Sequence, residues 1–260
     1  TRYVPHQSSF DFAKKLDKVQ TIVLIISTAF AAIHVALSSI PSKDMPDVKC
    51  YDDLANGFST FFSVIFITLD VIVNYKFYKA GIEKRKDLID HAFGKNYTGG
   101  KSTGYFNAQG VPIGLYKLAV QSFENSLFTN EVAKRMTFGK WSIAFIISAI
   151  FVLSACIGDK FIVNSVLQLG ATGVLILQAV KLQLFSSRID DIHSDFKRLF
   201  TDLKDGSDKT LKEGEMALNV LNYETTLAWA SILTSSKIFN ELNKQIFPAK
   251  WEEMKKEYQI

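Results

Sequence analysis

Apolar positions along this chain are gathered into four blocks, and the blocks come in two close pairs. Val19 to Ile40 runs 22 residues without a formal charge unless His34 is protonated. Leu54 to Leu69 adds 16 before Asp70, and the apolar character resumes through Tyr75. Trp141 to Gly158 gives 18 and Phe161 to Val180 gives 20. A helix needs roughly 20 residues to cross a hydrocarbon core, within about 17–25. Buried helices of a soluble protein can match one such run, but four runs in two pairs predict four transmembrane helices in two hairpins.

Helical spacing continues outside the runs. Phe10 to Val19 reads as an amphipathic lead-in, with Phe10, Phe12, Ala13 and Leu16 against Lys14, Lys15, Asp17 and Lys18. The second run has no breaker at its inner end, and Lys76 to Phe93 keeps the period until Gly94 stops it as a C-terminal glycine does. Leu115 to Phe138 is a further helix leading into the third run. After the fourth, Leu184, Phe185, Ile189, Ile192, Phe196, Leu199 and Phe200 form an apolar stripe up to Leu203. A turn at Asp205-Gly206-Ser207-Asp208 precedes one long last helix, from about Thr210 to Phe247, which Pro248 ends or bends. The expected fold is an all-α membrane protein. Residues 1–18 form a cytoplasmic N-terminal helix, 19–75 the first transmembrane hairpin and 76–140 a cytoplasmic helical insert with a Gly-rich loop. Residues 141–180 form the second hairpin and 181–260 the cytoplasmic C-terminal helices.

Charge supplies the orientation. Lys14, Lys15 and Lys18 precede the first run, and Lys76, Lys79, Lys84, Arg85 and Lys86 follow the second. Lys134, Arg135 and Lys140 precede the third, and Lys181 and Arg188 follow the fourth. The connection from Pro41 to Asp53 carries Lys43 and Lys49 against four aspartates, and Asp159-Lys160 is a bare turn. Lysine and arginine stay preferentially on the cytoplasmic side, so both termini and the central insert are expected inside. The net charge of +4 follows from this bias and does not argue for a nucleic-acid polymer as partner. No cleavable signal pattern accompanies the first run, which would serve as an uncleaved anchor. Cys50 falls in the outer connection and Cys156 near the outer end of the third span; two inert thiols or one disulfide are both open.

The stretch GKNYTGGKSTG, Gly94–Gly104, ends like a nucleotide-binding loop. A P-loop needs Gly, four residues, then Gly-Lys-Ser/Thr. Counting back from Gly100-Lys101-Ser102 puts Lys95 where the first glycine belongs, and a helix precedes the loop where a buried strand is required. The P-loop assignment fails. His6, His91 and His193 do not meet cysteines at metal-ligand spacing. Asp87, Asp90 and His91 share a helix face, as Asp190, Asp191 and Asp195 crowd near His193, and both groups read as solvated helix surface. Neither a metal site nor a cofactor nor hydrolytic or redox catalysis is expected, and no catalytic residue is assigned.

Polar side chains within the runs need partners or water. Asn56, Thr60, Ser63, Asp70 and Asn74 follow a 4-3-(4-3)-4 spacing, with Ile67 at the missing position, and share one face. Gln20, Ser27 and His34 stand seven apart on the first run. Asn164, Gln168, Thr172 and Gln178 make a looser polar side on the fourth. Two readings are open: hydrogen bonding between helices, or the lining of a water-filled path, which four helices alone are too few to enclose and which would need a homo-oligomer. For Asp70 the alternatives are an ion pair with Lys181 or a cation-attracting ring.

Two membrane hairpins around a cytoplasmic insert, together with RKDLIDHAFG (Arg85–Gly94) followed by Gly104-Tyr105, YKLAVQSFENSLFT (Tyr116–Thr129) and ETTLAWASILTSSKIFN (Glu224–Asn240), resemble the SMODS-associated four-transmembrane effectors of bacterial antiphage defence. The resemblance implies a location in the bacterial inner membrane and an activity that opens or disrupts it once a cyclic-nucleotide-making synthase has sensed infection. Any ligand would have to be read by the cytoplasmic helices themselves. Lys84, Arg85, Lys95, Lys101, Lys134 and Arg135 could meet Tyr97, Tyr105 and Asn107 if the long helices fold back beside one another. Cations for phosphates and aromatic faces for bases would suit a cyclic oligonucleotide. The other reading is a loop whose lysines only satisfy the positive-inside bias. The expected function is a triggered, membrane-disrupting effector, with a membrane-anchored binding or regulatory module and an ion or solute transporter as rivals.

Overall fold

The computed structural model describes residues 6–38, 46–99, 102, 108, 110–157 and 161–260; of Pro46, Ile147, Ile150, Phe151, 153–157, 161–172 and Gln245 it describes the backbone only. Among these residues there are seven α-helices and no strand. They are α1 (Gln7–Ser38), α2 (Pro46–Phe93), α3 (Leu115–Ile157), α4 (Phe161–Lys204), α5 (Glu213–Ala230), α6 (Ser236–Gln245) and α7 (Phe247–Tyr258). The chain divides into two compact units, one of residues 1–11, 76–137 and 181–260, the other of residues 12–75 and 138–180.

The second of these units turns its apolar side chains outward. Ile22, Ile25, Phe61, Val64, Ile67, Val71, Phe145 and Leu177 are all exposed, whereas Ala55, Ala144 and Ala179 are buried. Val23, Leu24 and Val73 are buried with them, but the many large apolar side chains left outside suit helices packed in lipid, where small residues let backbones approach closely. Among the described residues, two helices, Gln7–Ser38 and Asp47–Phe93, are long and apolar enough to cross a membrane. A core helix of a soluble domain would be mostly buried, whereas only 17% and 6% of the apolar windows of these two are buried. α1 and α2 run antiparallel here, and Phe30 stacks on Phe58 and Phe62 with ring centroids 5.2 and 6.0 Å apart. The third and fourth apolar runs fall largely on side chains outside the described set.

The other unit packs as a water-soluble helical bundle does. Its centre is Phe123 on α3, whose ring lies 5.0 Å from Phe200 and 5.8 Å from Phe196 of α4 and meets Trp251 and Tyr258 of α7 edge-on. Leu182, Phe185, Ile189, Ile192 and Leu199 of α4 and Met216, Val220 and Tyr223 of α5 complete the core. Phe128 stacks on Phe247 at 4.4 Å and opens a smaller cluster with Val132 and Leu242.

The expectation of one last helix is overturned. The chain breaks after Ala230, where Ser231 adopts a left-handed conformation with φ 48° and its amide bonds back to Leu227. Ser235 then caps α6 by accepting from the Ile238 amide. Pro248 opens α7 instead of ending a helix; in the first turn its missing N–H has no intrahelical partner to lose.

Candidate functional site

In the apolar unit the polar positions of α1 and α2 form a ladder. Gln20 donates to the Asp70 carboxylate at 2.8 Å. Seven residues on, the Ser27 hydroxyl meets the Ser63 hydroxyl at 2.8 Å and the Ser59 carbonyl at 3.1 Å. Another seven on, His34 Nδ1 lies 2.6 Å from Asp52 Oδ1. Each step of seven is two helical turns, so the three rungs lie on one seam of an antiparallel pair. Asn74 bonds back to the Asp70 carbonyl and carboxylate. Of the proposed path-lining residues, Ser63, Asp70 and Asn74 are thus engaged in hydrogen bonds within the α1–α2 pair, while Asn56 and Thr60 are exposed. Gln178 accepts from Lys140 of α3 at 3.5 Å. The side chains of Asn164, Gln168 and Thr172 lie outside the described residues.

In the helical unit the last two turns of α2 hold a polar cluster that is buried, contrary to the expectation of a solvated face. Asp87 and Asp90 are fully buried. The Asp90 carboxylate accepts from the Tyr97 amide at 2.7 Å, the Thr98 amide at 2.9 Å and the Thr98 hydroxyl at 2.8 Å. Asp87 accepts from the Ser102 amide at 3.1 Å and faces His6 Nδ1 at 3.7 Å. His91 Nε2 donates to the Ser102 carbonyl at 2.7 Å and lies 3.2 Å from its hydroxyl. Gly94, at φ 65°, turns the chain out of the helix, a conformation that glycine enters without steric cost. The Lys95 amide bonds to the Asp90 carbonyl and the Gly114 amide to the Ala92 carbonyl.

This geometry explains what the GKNYTGGKSTG stretch does at its near end. The successive amides of Tyr97 and Thr98, which a P-loop would aim at a phosphate, are turned onto an internal carboxylate. His91, Ser102 and Asp87 do not form a catalytic relay either. Such a relay uses the two imidazole nitrogens separately, whereas here Nε2 faces both Ser102 and Asp87. Ser102 is itself buried.

Of the nine proposed ligand contacts, the six described ones lie at separate places. Lys95 and Tyr97 are exposed beside the clamp that Asp90 makes on the Tyr97 and Thr98 amides. Arg85 donates to Glu224 of α5 at 3.1 Å, and Lys84 is half-buried. Lys134 bonds Asp190 of α4 at 2.6 Å, and Arg135 is exposed next to it. These two stand about 20 residues along α3 from Gly114, roughly 30 Å at 1.5 Å per residue. Lys101, Tyr105 and Asn107 lie outside the described residues.

His193 is likewise buried, against the expectation of a solvated position. Burial, reinforced by Lys197 and Lys250, pushes its pKa down to about 4. The Ser126 hydroxyl donates to the Phe123 carbonyl at 2.7 Å, so the 2.9 Å contact with His193 requires the imidazole to donate from Nδ1. Asp190, on the other side, is held below the usual carboxylate range by hydrogen bonds from Lys134 and Asn130. No group of three or more candidate metal ligands occurs among the described residues.

Sequence period alone pointed to neither Asp87 nor Asp90. A usable signal is present: Leu88, Ile89, Ala92 and Phe93 lie in the same two turns, and a helix-ending glycine follows Asp90 within about one turn. Compared with protein-family models, curated proteins and solved structures, the chain matches none.

Proposed function

We propose that this chain is a multi-pass effector of a bacterial inner membrane, with four spans, cytoplasmic termini and a cytoplasmic helical unit, which opens or disrupts the membrane when triggered. The observation that carries the proposal is the burial pattern of the described residues of 12–75 and 138–180, with many large apolar side chains exposed while Gln20 and Ser27 are buried. The resemblance to the four-transmembrane antiphage effectors supplies the trigger class, a cytoplasmic cyclic nucleotide. In the resting state Gln20–Asp70 and Ser27–Ser63 close the seam between α1 and α2. Conduction therefore requires that these rungs part or that copies assemble around Asn56 and Thr60.

The closed ladder favours one rival, a membrane-anchored regulatory module whose spans only hold it in place. Induced expression in bacteria carrying a membrane-potential dye separates the two. Depolarisation within minutes of triggering supports the effector. A steady potential with the protein in the membrane, and the trigger present, favours the anchor.

A further inference from the structure

α5 is apolar on two sides. Met216, Val220 and Tyr223 face the core of the helical unit. On the opposite side Gly214, Leu218, Leu221, Thr225 and Ala228 follow a 4-3-4-3 step with Trp229 beside the last, and all six are exposed. Leu218, Leu221 and Trp229 keep 56%, 61% and 56% of their surface in water. Beyond Glu213 no exposed residue of α5 is charged. A solvated helix face would carry lysine or glutamate here; an uncharged 4-3-4-3 stripe is the seam one helix offers another.

The stripe also specifies which helix. If a second α5 lies antiparallel across it, with the two-fold axis between Leu221 and Asn222, Trp229 falls opposite Gly214 and Leu218 opposite Thr225. Leu221 falls opposite Asn222 and, beside the axis, next to its own copy, so that away from the centre each large residue faces a smaller one. Gly214 supports the same pairing. It does not have a positive φ, and a Cβ there would touch nothing within 4 Å, so neither backbone nor packing within the chain requires glycine. An indole from a partner would. Antiparallel stacking also sets each helix N-terminus beside the other's C-terminus, which the macrodipoles favour.

We infer that α5 is a self-association surface whose occupant is the α5 of a second copy. The exposed stripe amounts to on the order of 500 Å² per copy, or about 1,000 Å² for the pair, the lower edge of a specific interface. Such a contact is weak between free molecules and effective between copies held in one membrane, where tethering raises the local concentration. It goes beyond the effector reading, since an anchored module would pair in the same way.

The test uses the full chain in detergent and in vesicles, with Cys50 and Cys156 replaced by serine. Leu221→Cys should cross-link to itself on mild oxidation. Differently tagged Gly214→Cys and Trp229→Cys chains should cross-link to each other. Leu218→Glu should weaken association by about tenfold or more by light scattering, with the helical signal and melting curve unchanged because the position is exposed. Should that variant misfold, the cysteine pairs still decide. Cross-linking of Gly214→Cys to itself, or of none of these positions, overturns the antiparallel pair. Quenching of Trp229 by brominated lipid, read against Trp229→Phe, would assign the stripe to the bilayer surface instead.

Discussion

Asp90 is the residue on which the near end of the Gly-rich loop depends. A buried carboxylate without donors is expensive, and a buried donor without an acceptor costs about 1–3 kcal/mol; here two amides and a hydroxyl settle both debts at once. Asp90→Ala should therefore destabilise the helical unit by about 2–3 kcal/mol and expose the loop to protease between Lys95 and Gly114. A melting temperature and cleavage pattern like those of the parent would remove the clamp. His193 gives a second residue-scale expectation, with the sign set by its burial. Its folded pKa, about 4, lies below its ordinary value of 6.5, so the unfolded chain binds the proton more readily. Stability is full above pH 6.5 and is lost as pH falls towards 4, in total on the order of 3 kcal/mol. Denaturant titrations from pH 7.5 to 4.5 should show the slope, and His193→Gln should flatten it. An identical slope in that variant would assign the acid sensitivity to the carboxylates.

Among the helices, what could be read in advance followed from local chemistry. Gly94 marks the end of α2 because a glycine after an unbroken period leaves few alternatives. Leu115 begins α3 because the apolar period resumes there. The break inside the last helix was hidden for the opposite reason. Ala230 to Ser235 contains neither glycine nor proline, so helix propensity favours continuing. Packing of Leu242 and Phe247 against Val132 rewards a chain that turns back. Ser231 bears the local cost, since a non-glycine residue in the left-handed region is disfavoured by roughly 1–2 kcal/mol. Ser231→Gly should accordingly raise stability by about 1 kcal/mol, less whatever is lost with the exposed bond from the serine hydroxyl to the Ala228 carbonyl. Thermal melts of the two proteins check this, and a lower melting temperature for the glycine variant would mean that the hydroxyl outweighs the strain. The rungs of the ladder were half legible. The sevenfold spacing of Gln20, Ser27 and His34 was visible, but their partners depend on the register of two helices. No single-helix period encodes that. The acid pair Asp87 and Asp90 was misplaced because helical period sorts polar from apolar faces, whereas these carboxylates are buried by a loop that returns over them.

At the scale of the whole molecule, the two units differ in which solvent they suit. One hides its aromatic residues around Phe123, the other displays Phe61, Val71 and Phe145 and buries Gln20 and Ser27. A single aqueous solvent cannot favour both arrangements, because exposed apolar surface costs about 25 cal/mol per Å² in water and nothing comparable in hydrocarbon. The difference converts directly into an expectation about sidedness. Cys50 is a free, exposed thiol near the start of α2, and the lysine bias predicts that it lies outside. Lys95 is exposed beside the clamp, and the same bias predicts that it lies inside. Ser102 would be a poor reporter, being buried under the loop. With Cys156 replaced by serine, a membrane-impermeant maleimide added to spheroplasts should label Cys50. In a Cys50→Ser, Lys95→Cys chain, it should label only after the membrane is permeabilised. Labelling of Lys95→Cys in sealed spheroplasts, with Cys50 protected, would invert the topology and put the helical unit out of reach of any cytoplasmic trigger. Equal labelling of both without permeabilisation would mean that the hairpin does not cross, and the effector proposal would fall with it.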